Sequence, residues 1–204
     1  MRRDAARNQE LILKSAHEVF SELGTDVGMD VVASRAGVGV GTVYRHFPNK
    51  DLLLSRLVNT MYEGLVAAAQ EALARGDGTG LEMFLRLLSR SLIDHLGYSD
   101  RFISDLGPGV GEQLDSLFDQ LLTQAKTHRM INDSATKGDL QILIWGVRGV
   151  VAASGSVAPE AWERFLDIHL AGLRVAPFPS VHPGMDAGQI KRMLDARHRS
   201  ATSS

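Results

Sequence analysis

One spacing constrains this chain more than any other: Ala33 and Gly37, four residues apart inside the stretch DVVASRAGVGVGTVYRHFPNKD at residues 30–51. A glycine takes the positive φ of a tight turn without steric cost, and an alanine four residues earlier lets two helices approach closely. Together they are the punctuation of a helix-turn-helix. Val31, Val32, Ala33 and Ala36 suit the short helix before the turn, and residues 40–47 suit a second one after it. On that second helix Val43 and Phe47 share the inner face, Gly39, Thr42 and His46 share the outer one, and Arg45 borders it. Pro48 stops the helix by disfavouring helical geometry at Phe47, and Asn49 is a good N-cap for the next.

Lys50 then falls at a helix N-terminus, where free N–H groups and a cationic side chain together favour a phosphate. Thr42, Tyr44, His46 and Lys50 form a line of donors on an element sized for a major groove. The alternative is a small bundle whose polar face is merely solvated.

The motif Val32-Ala33-x-x-Ala36-Gly37-Val38, followed by Gly41-Thr42-Val43-Tyr44-x-His46-Phe47-x-x-Lys50 and Asp51-Leu52-Leu53, resembles the tetracycline-repressor (TetR) family of bacterial regulators. With the preceding helix the resemblance covers the first quarter of the chain. It implies that Thr42, Tyr44, His46 and Lys50 mainly anchor phosphates, while the start of the recognition helix and Arg45 touch base edges and Gly41 lets the helix approach the DNA backbone. Arg35, Gly39 and Val40 complete the candidate DNA-binding set. The sequence departs from the family's pattern at Gly39, where a serine is common, at Gly28, where a threonine usually caps the second helix, and at Thr25, where an aromatic often packs.

A formal net charge of −2 argues against a protein that coats nucleic acid generally, so DNA binding has to be local. Arg2, Arg3, Arg7, Lys14, Arg35, Arg45 and Lys50, interspersed with acids, predict a basic patch and not a basic domain. The absence of cysteine excludes disulfides, cysteine metal sites and thiol catalysis. No long apolar run appears, and Arg2-Arg3 is not followed by a signal core, so no membrane association and a cytoplasmic location are expected.

Residues 1–8 are expected to fray, or to act as a basic arm on DNA. Ile12, Ala16, Val19, Phe20 and Leu23 predict a helix over 9–23, with Gly24 as its C-cap. A long helix is expected from Lys50 to about Arg75, then a break at Arg75-Gly76-Asp77-Gly78, and a capping box at Thr79-Gly80-Leu81-Glu82 opening a helix to about Leu96. A short helix is expected at 98–106, then helices at 112–128, from Thr136 onward with Asp139 three residues on, and from Pro159 as a first helical residue. The last two are more apolar than one core face requires, and Gly146, Gly149, Ala152, Ala153, Ala171 and Gly172 permit close packing. A proline-rich linker follows from Ala176, and a final amphipathic segment at 186–198 either docks or stays loose.

The expected fold is therefore all-α: a helix-turn-helix domain at 1–50, a larger helical ligand-binding and dimerisation domain at 51–175, and a linker and tail at 176–204. No catalytic site, metal site or cofactor is expected, because none of the seven histidines has metal-pair spacing or a neighbouring nucleophile motif. By the resemblance, the function is a homodimeric repressor on double-stranded, pseudo-palindromic operator DNA, released by a mainly apolar small-molecule inducer. Candidate inducer contacts are Met61, Phe84, His95, Phe102, Phe118, Trp145 and Arg148. Aromatic and methionine residues at helical spacing are equally ordinary core, and Arg148 meets either a carboxylate across a dimer interface or an anionic ligand group. The alternative is a DNA-binding regulator controlled by a protein partner, or an activator, without a small-molecule ligand.

Overall fold

A computed structural model describes residues 2–98, 109–174, 182–186, 188–189 and 192–193, with side chains from residue 6 onward. Among these residues the secondary structure is entirely helical. The helices are α1 (Arg2–Leu23), α2 (Met29–Ala36), α3 (Val40–His46), α4 (Lys50–Ala74), α5 (Gly80–Asp94), α6 (Val110–Thr127), α7 (Lys137–Ser154) and α8 (Ala161–Arg174). Of the short helix expected at 98–106 only Tyr98, in a turn, is described; residues 99–106 and the linker at 176–179 lie outside the described residues.

Two compact units divide the chain. The first comprises the described residues up to 62 together with 94–98; the second comprises 63–93 and the described residues from 109 on. The division therefore falls inside α4, not at residue 50. The reason is burial: Leu53, Leu54, Leu57 and Val58 of the first half of α4 share one core with Ile12, Val19, Phe20, Val32 and Val43. The later part of α4, through Leu65, Ala69 and Ala72, belongs to a second core with Phe84, Leu85, Leu121, Leu140 and Leu166.

In the first unit α1 begins at Arg2, well before the expected start. Residues 2–10 contain no proline or glycine, and Ala5, Ala6, Arg7, Gln9 and Glu10 are good helix formers, so nothing stops the helix there. Gly24 closes α1 as expected, with φ +78 and its N–H donating to the Phe20 carbonyl at 3.1 Å. Residues 94–98 pack against α1. Ser21 Oγ donates to the Asp94 carbonyl at 2.9 Å, and the Tyr98 hydroxyl lies 3.0 Å from His17 Nδ1. A Cβ on Gly97 would overlap the Phe20 carbonyl oxygen, so glycine is what lets this turn lie flat on the helix.

In the second unit Thr136 and Asp139 form a capping box at the head of α7. Thr136 Oγ1 accepts from the Asp139 N–H at 3.2 Å and Asp139 accepts from the Thr136 N–H at 2.7 Å. The box expected between Thr79 and Glu82 does not form. Asp77 instead accepts from both the Thr79 N–H (3.0 Å) and the Thr79 hydroxyl (2.6 Å), which holds its carboxyl below the ordinary aspartate range. Glu82 is drawn away to Arg86 and Arg174, and two guanidinium groups outweigh one backbone N–H. Pro159 precedes α8 and does not start it: Ala161 and Glu163 donate to the Ala158 and Glu160 carbonyls in a tight turn, leaving α8 to begin at Ala161.

Helices α5 and α8 are tied by Arg86 to Asp167 (2.7 Å), Arg90 to Glu163 and Arg174 to Glu82, with the Arg90 guanidinium 5.0 Å from the centre of the Trp162 ring. Residues 182–186 lie against the start of α7, where a Cβ on Gly138 would meet the Met185 carbonyl. Asp186 and Gln189 exchange reciprocal side-chain to N–H bonds of 2.9 and 2.7 Å, the cap of a helical turn in the predicted C-terminal segment.

Candidate nucleic-acid interface

The turn between α2 and α3 is fixed by its own hydrogen bonds. Gly37 is left-handed at φ +67, its N–H donates to the Ser34 carbonyl at 3.2 Å, and the Val38 N–H donates to the Ala33 carbonyl at 3.1 Å. This 5→2 and 6→1 pair is the Schellman closure, which satisfies two carbonyls that the end of α2 would otherwise leave open. Val32, Ala33, Val43 and Phe47 are buried beneath it. Phe47 is extended before Pro48, and the Asn49 carboxamide caps α4 by accepting from the Leu52 N–H at 2.8 Å.

Gly28 caps α2 without a side-chain bond. The Asp30 carboxylate occupies the space a Cβ at residue 28 would take, so an acid in the first turn stands where the family's threonine would. That charge suits the positive end of the helix.

Burying Val43 and Phe47 turns the rest of α3 outward. Val40 is 44% exposed and Tyr44 50%, Gly41 and Arg45 are exposed, and Thr42 and His46 are half-buried. Arg45 folds back along its own helix, Nε donating to the Gly41 carbonyl at 3.1 Å and Nη2 to Thr42 Oγ1 at 3.4 Å. Gly39 precedes the first turn as the N-cap, with its carbonyl accepting from the Thr42 N–H at 2.8 Å.

Two candidates have partners that spacing did not foreshadow. Arg35 lays its fork on Glu22 (3.2 and 2.9 Å) and reaches Glu18 at 3.5 Å, so its charge is already shared with α1. The Arg35 hydrogen bonds and charge hold the Glu22 carboxyl below the ordinary glutamate range. Lys50 sends its ammonium to the backbone carbonyls of Thr25 (2.7 Å) and Val27 (3.1 Å), tying the head of α4 to the loop between α1 and α2. An ammonium has three donors, so one remains for an external acceptor. The contacts of Lys50, and those of His17 and Ser21 with residues 94–98, join positions 23 to 81 apart in sequence, where no local pattern announces them.

The described candidate inducer contacts are divided between the two units. Met61 and His95 belong to the first unit, and His95 stacks on His17 with ring centres 4.7 Å apart. Phe84 and Phe118 meet edge to face at 6.1 Å in the second unit, with Phe84 fully in its core; Trp145 and Arg148 are half-buried on α7. Phe102 lies outside the described residues. A cleft of about 20 Å³ in the second unit, lined by Leu81, Leu85, Met130, Ile131 and Leu170, includes none of the six described candidates. Among the described residues no group of three metal-ligating side chains is assembled, and no helix is long and apolar enough to cross a membrane.

The family model described as bacterial regulatory proteins, tetR family, matches residues 12–57. HTH-type transcriptional regulators of Staphylococcus aureus strains USA300 and NCTC 8325 are 43% identical over 52 residues, 25% of this chain and 28% of theirs. The match thus spans little more than a quarter of the length of these curated relatives. The crystal structure of a TetR transcription regulatory protein from Mycobacterium vanbaalenii is 30% identical with a TM-score of 0.60, covering 85% of this chain and 99% of that one. A TetR transcriptional regulator from Streptomyces coelicolor is 26% identical with a TM-score of 0.64, covering 82% and 99%.

Proposed function

The chain belongs to the TetR family of bacterial transcriptional regulators, and from that premise we propose that it is a homodimeric, ligand-responsive repressor of a pseudo-palindromic operator. The observation that carries the reading is the outer face of α3. A helix clamped at its start by the Gly37 turn and at its end by Pro48 leaves Val40, Gly41, Tyr44 and Arg45 open to a major groove, with Thr42 and His46 flanking them. Thr42, Tyr44, His46 and the third proton of Lys50 anchor phosphates, Gly39, Val40 and Arg45 face the bases, and Gly41 lets the helix approach the DNA backbone. Arg35 steadies α2 against α1 through Glu22 and contributes to DNA at longer range.

Support for a homodimer comes from α7 and α8. Ile142, Gly149, Ala152 and Ala153 on α7 and Ile168, Ala171 and Gly172 on α8 are exposed, an apolar and small-residue surface suited to a second copy. Support for ligand control comes from connectivity. Helix α5 ends directly in residues 94–98, which are bonded to α1, so a displacement of α5 by an inducer is delivered to the first unit through His17, Ser21 and Tyr98. A coupling of roughly 1–3 kcal/mol would weaken operator binding about 5–150-fold.

A second reading has its own observation. The edge-to-face packing of Phe84 on Phe118, with Phe84 buried in the second core, fits a filled interior there, hence a regulator controlled by a protein partner or acting as an activator. The experiment measures binding of the purified full chain to its promoter DNA by fluorescence anisotropy across a salt series, together with a thermal-melt screen of small molecules. Repression predicts a promoter fusion that rises when the gene is deleted; a compound that stabilises the protein and also releases DNA supports ligand control. A ligand present at 100 times its Kd adds about 2.7 kcal/mol of stability. Failure to bind promoter DNA overturns the DNA-binding reading, and a fusion that falls on deletion favours activation.

A further inference from the structure

Three consecutive positions at the exposed edge of α3, Gly39, Val40 and Gly41, carry a single side chain among them. The fold does not ask for either glycine. Gly39 sits at φ −65 and ψ 143, an ordinary extended conformation, and Gly41 is helical; a Cβ at either position would meet nothing within 4 Å. Gly41 is locally unfavourable, since glycine is the poorest non-proline residue inside a helix, and Gly39 caps slightly less well than serine, asparagine or aspartate would. A helix of seven residues has little propensity to spare. What the two glycines do accomplish is to strip the surface to backbone on both sides of Val40, which stands 44% exposed.

Val40 is branched, apolar and without a donor or acceptor, so it cannot read a base by hydrogen bonding. The major-groove edge of the four base pairs offers one feature that an aliphatic group recognises, the C5-methyl of thymine. Resting on the DNA-binding reading above, we infer that Val40 is a specificity-determining residue that selects thymine by methyl contact, and that Gly39 and Gly41 exist to let its isopropyl group reach the base. The hydrogen-bonding reader is then Arg45, one turn further along, whose guanidinium is parked on Gly41 and Thr42 until a base edge replaces them.

The experiment uses the full chain and a pool of randomised duplexes. Duplexes enriched by binding are remade with uracil in place of thymine, one position at a time, which removes the methyl and nothing else. For the unaltered protein, affinity falls about four-fold for each methyl removed at the Val40 position. Val40→Ala binds the same duplexes with no response to uracil. Gly41→Ala melts about 2–4 °C higher, because alanine favours the helix, yet loses affinity for every duplex. The inference is overturned if uracil has no effect at any position, if Val40→Ala keeps the full uracil response, or if Gly41→Ala binds as tightly as before. Retention of no duplex from the pool overturns the DNA-binding reading itself and this inference with it, which separates the two failures.

Discussion

The ammonium of Lys50 donates to the carbonyl of Thr25 at 2.7 Å, closing a loop of 25 residues with one charge-assisted bond and reaching Val27 with a second. The lysine that the sequence motif assigns to a phosphate therefore also holds the helix-turn-helix together. Lys50→Met, which keeps the apolar stem, is expected to lower the unfolding free energy by about 2 kcal/mol in urea titrations, since bonds from a charged donor are worth more than neutral ones. It is also expected to reduce the salt slope of DNA binding by about one, the share of a single phosphate contact. A lower stability with an unchanged slope would assign Lys50 to the loop alone.

Tyr98 is buried, and burial pushes its phenol well above the ordinary tyrosine value. Because the folded value is raised, the neutral phenol contributes stability that is fully present below about pH 10, where the unfolded chain begins to ionise, and is lost as pH rises from there towards the folded value. Tyr98→Phe keeps the edge contact with Phe20 but gives up the hydroxyl on His17. Urea titrations at neutral pH are expected to show a loss of about 1 kcal/mol. At alkaline pH the variant should be less sensitive than the parent, a crossing that a purely steric defect would not produce.

Glu22 titrates low because Arg35 holds its carboxylate. Its contribution to stability is thus present above the unfolded glutamate value and is lost as pH falls through the lower, folded one. Both side chains are exposed, so the pair is expected to be visible mainly as a titration and only weakly as stability. Carboxyl-carbon NMR should find Glu22 below the ordinary glutamate range, and Arg35→Met should return it there. No movement in the variant would mean that the pairing is not populated in solution.

How much of this was legible beforehand follows the range of each interaction. The Gly24 and Gly37 caps, the Asn49 cap and the Thr136–Asp139 box are all made within five residues, and local sequence displays them. The box expected at Thr79 failed because Glu82 had distant competitors: Arg174, 92 residues away, is invisible to a four-residue pattern. The same limit hid Lys50 on Thr25 and Tyr98 on His17. The inducer candidates were chosen as large residues on inner helix faces, a property that core and pocket share, so their distribution between two units was beyond that argument.

Ile142 on α7 is 48% exposed and Ile168 on α8 is 54% exposed, alongside the exposed small residues Gly149, Ala152, Ala171 and Gly172. If these faces meet a second copy, Ile142→Glu and Ile168→Glu bury an unpaired carboxylate at the interface. Sedimentation is expected to show monomers for either variant, with helical circular dichroism unchanged because neither side chain belongs to a core. A dimer that persists in both would move the interface elsewhere.

Helix α4 gives Leu53, Leu54, Leu57 and Val58 to one core and Leu65, Ala69 and Ala72 to the other. A DNA-binding fragment ending near residue 50 would therefore expose the floor of its own core and lose the leucines that close it. Even a cut at residue 62 discards Tyr98, which arrives only after the chain has left for the second core and come back. The economical excision is a loop-out: residues 63–93 replaced by a short flexible connector, leaving residues 94–98 in place. The helix-turn-helix is in that sense a host interrupted by an insertion, and the compact unit that holds it is discontinuous in sequence.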